Sequence, residues 1–302
     1  MTSGFFFRGF SAPGLRILYC AIALFFNLPT WAAPAMWEVR APGGGQVWLF
    51  GSIHLCTAQC FPLPDAVIRA FDGAQALALE LDPNSAATGA RVLERGIYAA
   101  GDALDRHLDA GAMAELDTAL AKLGMDRNSW LRMRPWMLAQ MLVVLSAQSA
   151  GMQIEHGTDL WFLARAQAQN KPVLELETAD EQIDSMDRLP DAAQQTMLEQ
   201  SLSYLDAPTM QRAMADLLAA WQSGDAPALA AQIRKDLAGG AESSRIVESV
   251  LTRRNAVMAQ RIAHYLQDGQ QVFVVVGAGH LAGPGSLPEQ LASMGYRVIR
   301  TR

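Results

Sequence analysis

Two stretches near opposite ends of this chain share one pattern. Val47-Trp48-Leu49-Phe50-Gly51-Ser52-Ile53-His54-Leu55 and Val272-Phe273-Val274-Val275-Val276-Gly277-Ala278-Gly279-His280-Leu281 are each a run of β-branched and aromatic residues. Each ends in a glycine, and a histidine and a leucine follow three and four residues later. Such runs read as buried strands. In open α/β sheets ligands bind beyond the carboxyl ends of strands, where glycine lets the backbone turn and approach a ligand closely. A fold that gathers both runs into one sheet would bring His54 and His280 to one site edge. The repeated unit also hints at two related halves.

The intervening chain reads as strands and helices in alternation. Segments 36–40 and 46–50, joined by Pro42-Gly43-Gly44-Gly45, carry a hairpin signal. Pro64-Asp65 opens a helix to about residue 71, and an apolar strand at 76–82 ends at Pro83. This strand-helix-strand order suggests a right-handed parallel crossover. Residues 86–151 have helical periodicity, and the apolar helix at 135–150 is too short for a membrane span of about 20 residues. A helix at 157–169 leads to a third strand at 171–178. Residues 180–238 are helical with breaks at Pro190, Pro208 and Gly224-Asp225-Ala226-Pro227, an insertion or cap over about 180–240. A helix at 244–267, the second histidine unit, a short helix at 286–294 and a strand at 296–300 finish the pattern. The expectation is one α/β domain over 36–302, with a central largely parallel or mixed sheet flanked by helices and both termini in it.

Composition narrows the function. At 302 residues, 51% hydrophobic and 18% charged, the chain has ample material for a core. A net charge of −6 lacks the basic footprint of a nucleic-acid binder or a polybasic membrane-surface protein. In the first 35 residues only Arg8 and Arg16 are charged, residues 17–28 are almost wholly apolar, and Thr30-Trp31-Ala32-Ala33-Pro34-Ala35 follows. That predicts a signal peptide over 1–35, cleaved after Ala32 or Ala35, with the mature chain periplasmic or secreted and not inserted in the membrane. The alternative is an uncleaved anchor. Cys20 lies in the signal segment; Cys56 and Cys60 are expected to form a disulfide in an oxidising compartment, against a metal-thiolate alternative.

Glu80 and Glu177 each end an otherwise apolar strand. A buried carboxylate is costly unless paired or bound to metal, so a strand-end glutamate facing two imidazoles could complete a two-histidine, one-carboxylate site. Alternatively each pairs with an arginine, a reading that suits Glu177 better. In Arg253-Arg254-Asn255 an arginine could hold a carboxylate or stabilise an oxyanion. His156, at a helix start, is a candidate third ligand but suits capping or simple exposure better, and His107 and His264 read as ordinary residues. Ser52 lies outside a Gly-x-Ser-x-Gly elbow, and Gly277-Ala278-Gly279 is an incomplete dinucleotide loop.

The ordered set of these motifs resembles the TraB/GumN family. The matching residues are Gly51-Ser52-Ile53-His54-Leu55, Pro62-Leu63-Pro64, Leu79-Glu80-Leu81-Asp82, Lys171-Pro172-Val173 and Leu176-Glu177-Thr178. Towards the C-terminus Arg254-Asn255, Met258-Ala259, the second histidine unit, Gly283 and Gly295-Tyr296-Arg297-Val298 continue the match. The Cys56/Cys60 loop fits the bacterial GumN-like branch. The family includes Tiki proteases, metal-dependent enzymes that cleave the amino-terminal part of Wnt proteins, and it shares an α/β superfamily with erythromycin esterase and ChaN-like proteins. Other members are linked to polysaccharide gene clusters and to pheromone shutdown. The resemblance implies an active-site set of His54, His280 and Glu80, with Arg254 beside it and Glu177 in support.

These readings predict an exported metal-dependent hydrolase, a Tiki-like peptidase acting on a peptide or protein. His54, His280 and Glu80 would bind a divalent manganese, cobalt or zinc ion that activates water. Glu177 would orient a histidine or act as general base, and Arg254 would stabilise the oxyanion or anchor a substrate carboxylate. The alternatives are a ligand- or polysaccharide-associated binding protein on the same fold and an esterase working through histidine without metal.

Overall fold

The computed structural model describes residues 34, 36–236 and 240–301. Apart from Pro34, the expected signal segment lies outside the described residues. Met36–Arg40 (β1) and Gln46–Ser52 (β2) form the expected antiparallel hairpin, with Met36 opposite Phe50 and Arg40 opposite Gln46. Helix α1 (Asp65–Gly73) leads to β3 (Ala76–Leu79). Helices α2 (Ala86–Gly96), α3 (Ala110–Lys122), α4 (Arg127–Trp130), α5 (Pro135–Ser149) and α6 (Thr158–Ala168) precede β4 (Val173–Glu175). Next come α7 (Ala179–Asp187), α8 (Asp191–Ser203), α9 (Ala207–Gln222), α10 (Ala226–Asp236) and α11 (Ala241–Val247). A π-helical turn at Glu248–Arg253 runs directly into α12 (Arg254–Gln267). The described chain closes with β5 (Gln271–Gly277), a 3₁₀ turn at Ala278–Leu281, α13 (Leu287–Ser293) and β6 (Arg297–Thr301).

The strands make one mixed six-stranded sheet in the order β4-β3-β5-β2-β1-β6, so the fold is α/β as expected. β4, β3, β5 and β2 run parallel, and β1 is antiparallel to both its neighbours. β2 and β3 are parallel, as the strand-helix-strand order suggests, but they do not pair. β5, from the far end of the chain, lies between them and bonds to both.

Period-two alternation explains the two layers of core. Phe273 and Val275 of β5 face one side, where Phe50, Phe71 and Phe162 pack around them with helices α1 and α6. Val272, Val274 and Val276 face the other side, against Met258, Ile262 and Leu266 of α12 and Leu287 and Leu291 of α13. A separate apolar cluster joins α3, α4, α5 and α8 through Leu116, Trp130, Leu138, Leu142 and Leu198. Within the segment read as a cap, α9 returns to the sheet, where the Trp221 indole N–H donates to the Gly51 carbonyl at 2.7 Å. The fifteen-residue α5 belongs to the helical core. Among the described residues no helix is long and apolar enough to cross a membrane.

β3 and β4 are shorter than the apolar runs that encode them, but their pairing continues past the strands. Leu176 N–H donates to the Leu79 carbonyl at 2.8 Å, and Glu177 N–H to the Glu80 carbonyl at 3.0 Å. Those two bonds carry Glu80 and Glu177 out of the sheet side by side.

Candidate functional site

The four parallel strands deliver their loops to one edge of the sheet. His54 lies two residues beyond β2, Glu80 one beyond β3, Glu177 two beyond β4, and His280 in the 3₁₀ turn after β5. Arg254 is the first residue of α12, placed there by the π turn before it. All five candidate residues therefore meet in one place. Gly277 sits at the centre. A Cβ on it would lie 3.1 Å from His54 Nε2, 3.3 Å from Glu80 Oε1 and 3.8 Å from His280 Cδ2. Only a residue without a side chain leaves that space free.

Charge pairing fixes the carboxylates. Arg254 Nε donates to both Glu177 oxygens at 2.9 and 3.1 Å, and Nη2 reaches Glu177 Oε2 and Glu80 Oε2 at 2.6 Å each. Glu80 Oε1 accepts from the Gly277 amide at 2.6 Å, and Gln182 Nε2 lies 3.4 Å from Oε2. Burial would raise the Glu80 carboxyl, but its charged and hydrogen-bonding neighbours, with the Arg254 guanidinium and the Gly277 amide among them, hold it well below the usual carboxylate range. Burial pushes the Glu177 carboxyl up, against the pull of Arg254. The arginine thus bridges two buried carboxylates at once, which is what lets both sit at the end of an apolar sheet.

Each histidine is held at Nδ1, so its Nε2 is turned inward, that of His54 towards Gly277 and that of His280 towards Glu80. His280 Nδ1 is 2.6 Å from Asn255 Oδ1, and Asn255 Nδ2 donates to the Gly285 carbonyl at 2.8 Å, which fixes the amide's orientation. His280 Nδ1 must therefore carry the proton. Burial lowers the His280 pKa to about 4 despite the neighbouring Glu80, so the ring is neutral at pH 7 and Arg254 is the standing counter-charge to Glu80. The unprotonated His280 Nε2 then faces Glu80 Oε1 at 3.7 Å, lone pair towards carboxylate.

His54 is oriented by Asp159, whose Oδ2 lies 3.0 Å from His54 Nδ1. The His54 side chain lines the cavity and is 55% exposed. Burial opposes its charge, but the Asp159 hydrogen bond and the Asp159 and Glu80 carboxylates outweigh it and raise the pKa to about 9. Two hydrogen bonds between Ile53 and Thr158 hold Asp159 in place. Ile53 N–H donates to Thr158 Oγ1 at 3.1 Å, and Thr158 N–H returns to the Ile53 carbonyl at 3.0 Å. A Cβ on Gly157 would fall 2.5 Å from the His54 carbonyl oxygen, so only glycine lets α6 start this close. Beyond His54 the Cys56–Cys60 disulfide is present, and Cys56 exchanges both backbone hydrogen bonds with Gln153.

Two imidazole Nε2 atoms and a carboxylate around a side-chain-free glycine are a donor set that suits a divalent cation. Nδ1 anchoring by a carboxylate and an amide is the support that metal-binding histidines use. The lone-pair-to-carboxylate approach of His280 and Glu80 is repulsive unless a cation lies between them. As arranged, however, both Glu80 oxygens are engaged by Arg254 and the Gly277 amide. Among the described residues no three His, Cys, Asp or Glu side chains are grouped to hold a metal.

The floor opens into a cavity of about 610 Å³. Two buried oxygens on its lining, Ser52 Oγ and Asp159 Oδ1, have no protein partner. The remaining histidines lie elsewhere: His107 stacks on Tyr98 and pairs with Asp102, and His264 is exposed near Asp268. His156 ends a 3₁₀ turn ahead of α6 and does not line the cavity. Gly277-Ala278-Gly279 enters a 3₁₀ turn instead of a phosphate-binding helix. Sequence reasoning passed over Asp159, read only as a helix start, and Asn255, read only as part of a motif. Their one signal was position, beside Gly157 and beside Arg254.

The model of the TraB/PrgY/gumN family matches residues 35–300. A protein of Escherichia coli (strain K12) named "Uncharacterized protein YbaP" is 29% identical over 269 residues, covering 89% of this chain and 95% of its own. The protein of that name from Shigella flexneri matches with the same identity and coverage. No solved structure gives a significant match.

Proposed function

The chain belongs to the TraB/PrgY/gumN family, and from that premise we propose that it is a metal-dependent hydrolase, a peptidase that works after export on peptide or protein substrates. The observation that carries this reading is the convergence of His54 Nε2, Glu80 Oε1 and the His280 ring around Gly277. His54, His280 and Glu80 would hold the cation. A manganese, cobalt or zinc ion bound there would polarise a carbonyl and raise the nucleophilicity of water.

The chain's own residues supply the rest. Asp159 and Asn255 aim the two imidazoles, and the Gly277 backbone leaves room for a substrate carbonyl. Arg254, bonded to Glu80 and Glu177, is the fixed cation whose field would favour a developing oxyanion at the site. Glu177 then keeps Arg254 paired and in position. In this arrangement Glu177 supports the arginine and is screened from substrate by it, so it is a weaker candidate for general base than for positioning.

The test is hydrolysis of an unfolded peptide by the mature protein with added manganese, cobalt or zinc, beside His54→Ala and His280→Ala. Activity in the wild type and its loss in both variants is expected; equal activity in all three would overturn the assignment. One observation favours a second reading, because both Glu80 oxygens already have partners. In that reading the cavity holds a ligand without turnover, and ligand raises the melting temperature while no product forms.

A further inference from the structure

The cavity above the candidate site is apolar on its upper walls, and those walls are one layer short of a core. Trp136 of α5 and Ile183 and Met186 of α7 are buried and form a small cluster of their own. Val92 of α2, Met137 of α5 and Val250 of the π turn pack on that cluster but are only half buried, and all three line the cavity. Met141, one turn along α5 from Met137, lines it as well. Apolar atoms that complete one side of a cluster and face an opening on the other are the ordinary lining of a ligand pocket.

The outer faces of the same helices are tied by charge. Arg95 of α2 donates to Asp180, Asp184 and Asp187 of α7 at 2.8–2.9 Å, and the Trp136 indole N–H donates to Asp187 at 3.1 Å. The walls are therefore held at a fixed separation from outside while their inner side chains stay free to adjust. Methionine suits that role, being unbranched and polarisable. Met137 has room to move only because α2 ends in glycine, since a Cβ on Gly96 would come within 2.1 Å of Met137 Sδ.

We propose that this cavity is the subsite for one large apolar side chain of the substrate, a leucine-, methionine- or phenylalanine-like group lying next to the bond presented to His54, Glu80 and His280. The proposal rests on the hydrolase reading for its polar end and on the walls alone for its selectivity. Its volume, about 610 Å³, is that of a whole small-ligand pocket, so the apolar side chain would fill the upper part and the backbone beside it the floor. Charge at the floor sets what is refused. Glu80 and Asp159 line the cavity, and both cationic groups on its lining are occupied, Arg254 by Glu80 and Glu177 and the His54 ring by Asp159. An acidic side chain would meet two carboxylates and no free cation. A lysine could find the carboxylates only by leaving its stem across the apolar walls with its charge stripped of water.

Methyl spectra of the mature protein, carrying ¹³C-methyl methionine, test this without turnover. The probes are N-acetylated tetrapeptide amides that differ at one position, Leu, Phe, Asp or Lys, and Met→Leu variants assign Met137, Met141 and Met186. Leu and Phe peptides should shift all three methyl signals and bind at least about tenfold more tightly than the Asp and Lys peptides. Gly96→Ala, which pushes Met137 into the cavity, should weaken the Phe peptide more than the Leu peptide. Methyl signals that stay still with every peptide, or respond equally to all four, overturn the subsite. Cleavage with no methyl shift would sink the subsite and leave the hydrolase, whereas methyl shifts with no cleavage under any of the three metals would do the reverse.

Discussion

Asn255 Oδ1 lies 2.6 Å from His280 Nδ1, and because Asn255 Nδ2 donates to the Gly285 carbonyl at 2.8 Å the amide cannot turn over. One hydrogen bond thus decides that His280 presents an unprotonated Nε2 to Glu80. Replacing Asn255 by leucine keeps the volume and removes that control. Cation affinity measured by calorimetry should fall by about 10- to 100-fold while the fold persists. An affinity equal to wild type would show that the ring is aimed by something else.

Asp159 should have a different signature, because it acts through charge. In the metal-free protein the His54 pKa is raised from 6.5 to about 9. A raised folded-state value stabilises the protein fully below the unfolded value and is lost as pH rises through about 9. Asp159→Asn should lower the His54 titration midpoint read from its ring proton signals, and it should flatten the loss of stability between neutral pH and about 9.5. An unchanged midpoint would remove Asp159 as the cause.

Arg254 stands between two buried carboxylates, so its removal should be the most damaging change at the site. Arg254→Ala leaves Glu80 and Glu177 uncompensated, and unfolding in urea should show a loss of about 3–5 kcal/mol. Arg254→Lys should recover only part of it, since a single ammonium cannot reproduce the forked contact to Glu177. Full recovery by lysine would mean that charge alone matters here.

Gly277→Ala separates the site from the fold. The backbone there, φ −50° and ψ 136°, suits any residue, so denaturation should report a change below about 1 kcal/mol. The new methyl would nevertheless occupy the point 3.1 Å from His54 Nε2 and 3.3 Å from Glu80 Oε1. Cation binding and hydrolysis should both drop sharply. Retention of both would place the functional site elsewhere.

Much of the fold could be read from local pattern. The strand runs, the breaks at Pro190 and Gly224 and the helix starts at Asp65 and Thr158 all lie where residue type constrains backbone angles over a few positions. The π turn at Glu248–Arg253 could not be read, since its residues have ordinary helical spacing. Its effect is to set where Arg254 emerges at the start of α12.

His54, Glu80, Glu177, Arg254 and His280 were legible for a related reason. Glycine-histidine turns and glutamates that end apolar strands are local anomalies, visible without knowing what they face. Their partners were not. Asp159 is 105 positions from His54, and Arg254 is 77 from Glu177 and 174 from Glu80. A pairing across such separations is decided by which strands become neighbours, and no short-range preference encodes it. Local sequence determined which side chains sit at strand ends. Tertiary structure alone placed β5 between β2 and β3, which made Gly277 the point that His54, Glu80 and His280 share, because only the assembled sheet sets those three strand ends side by side around one backbone position.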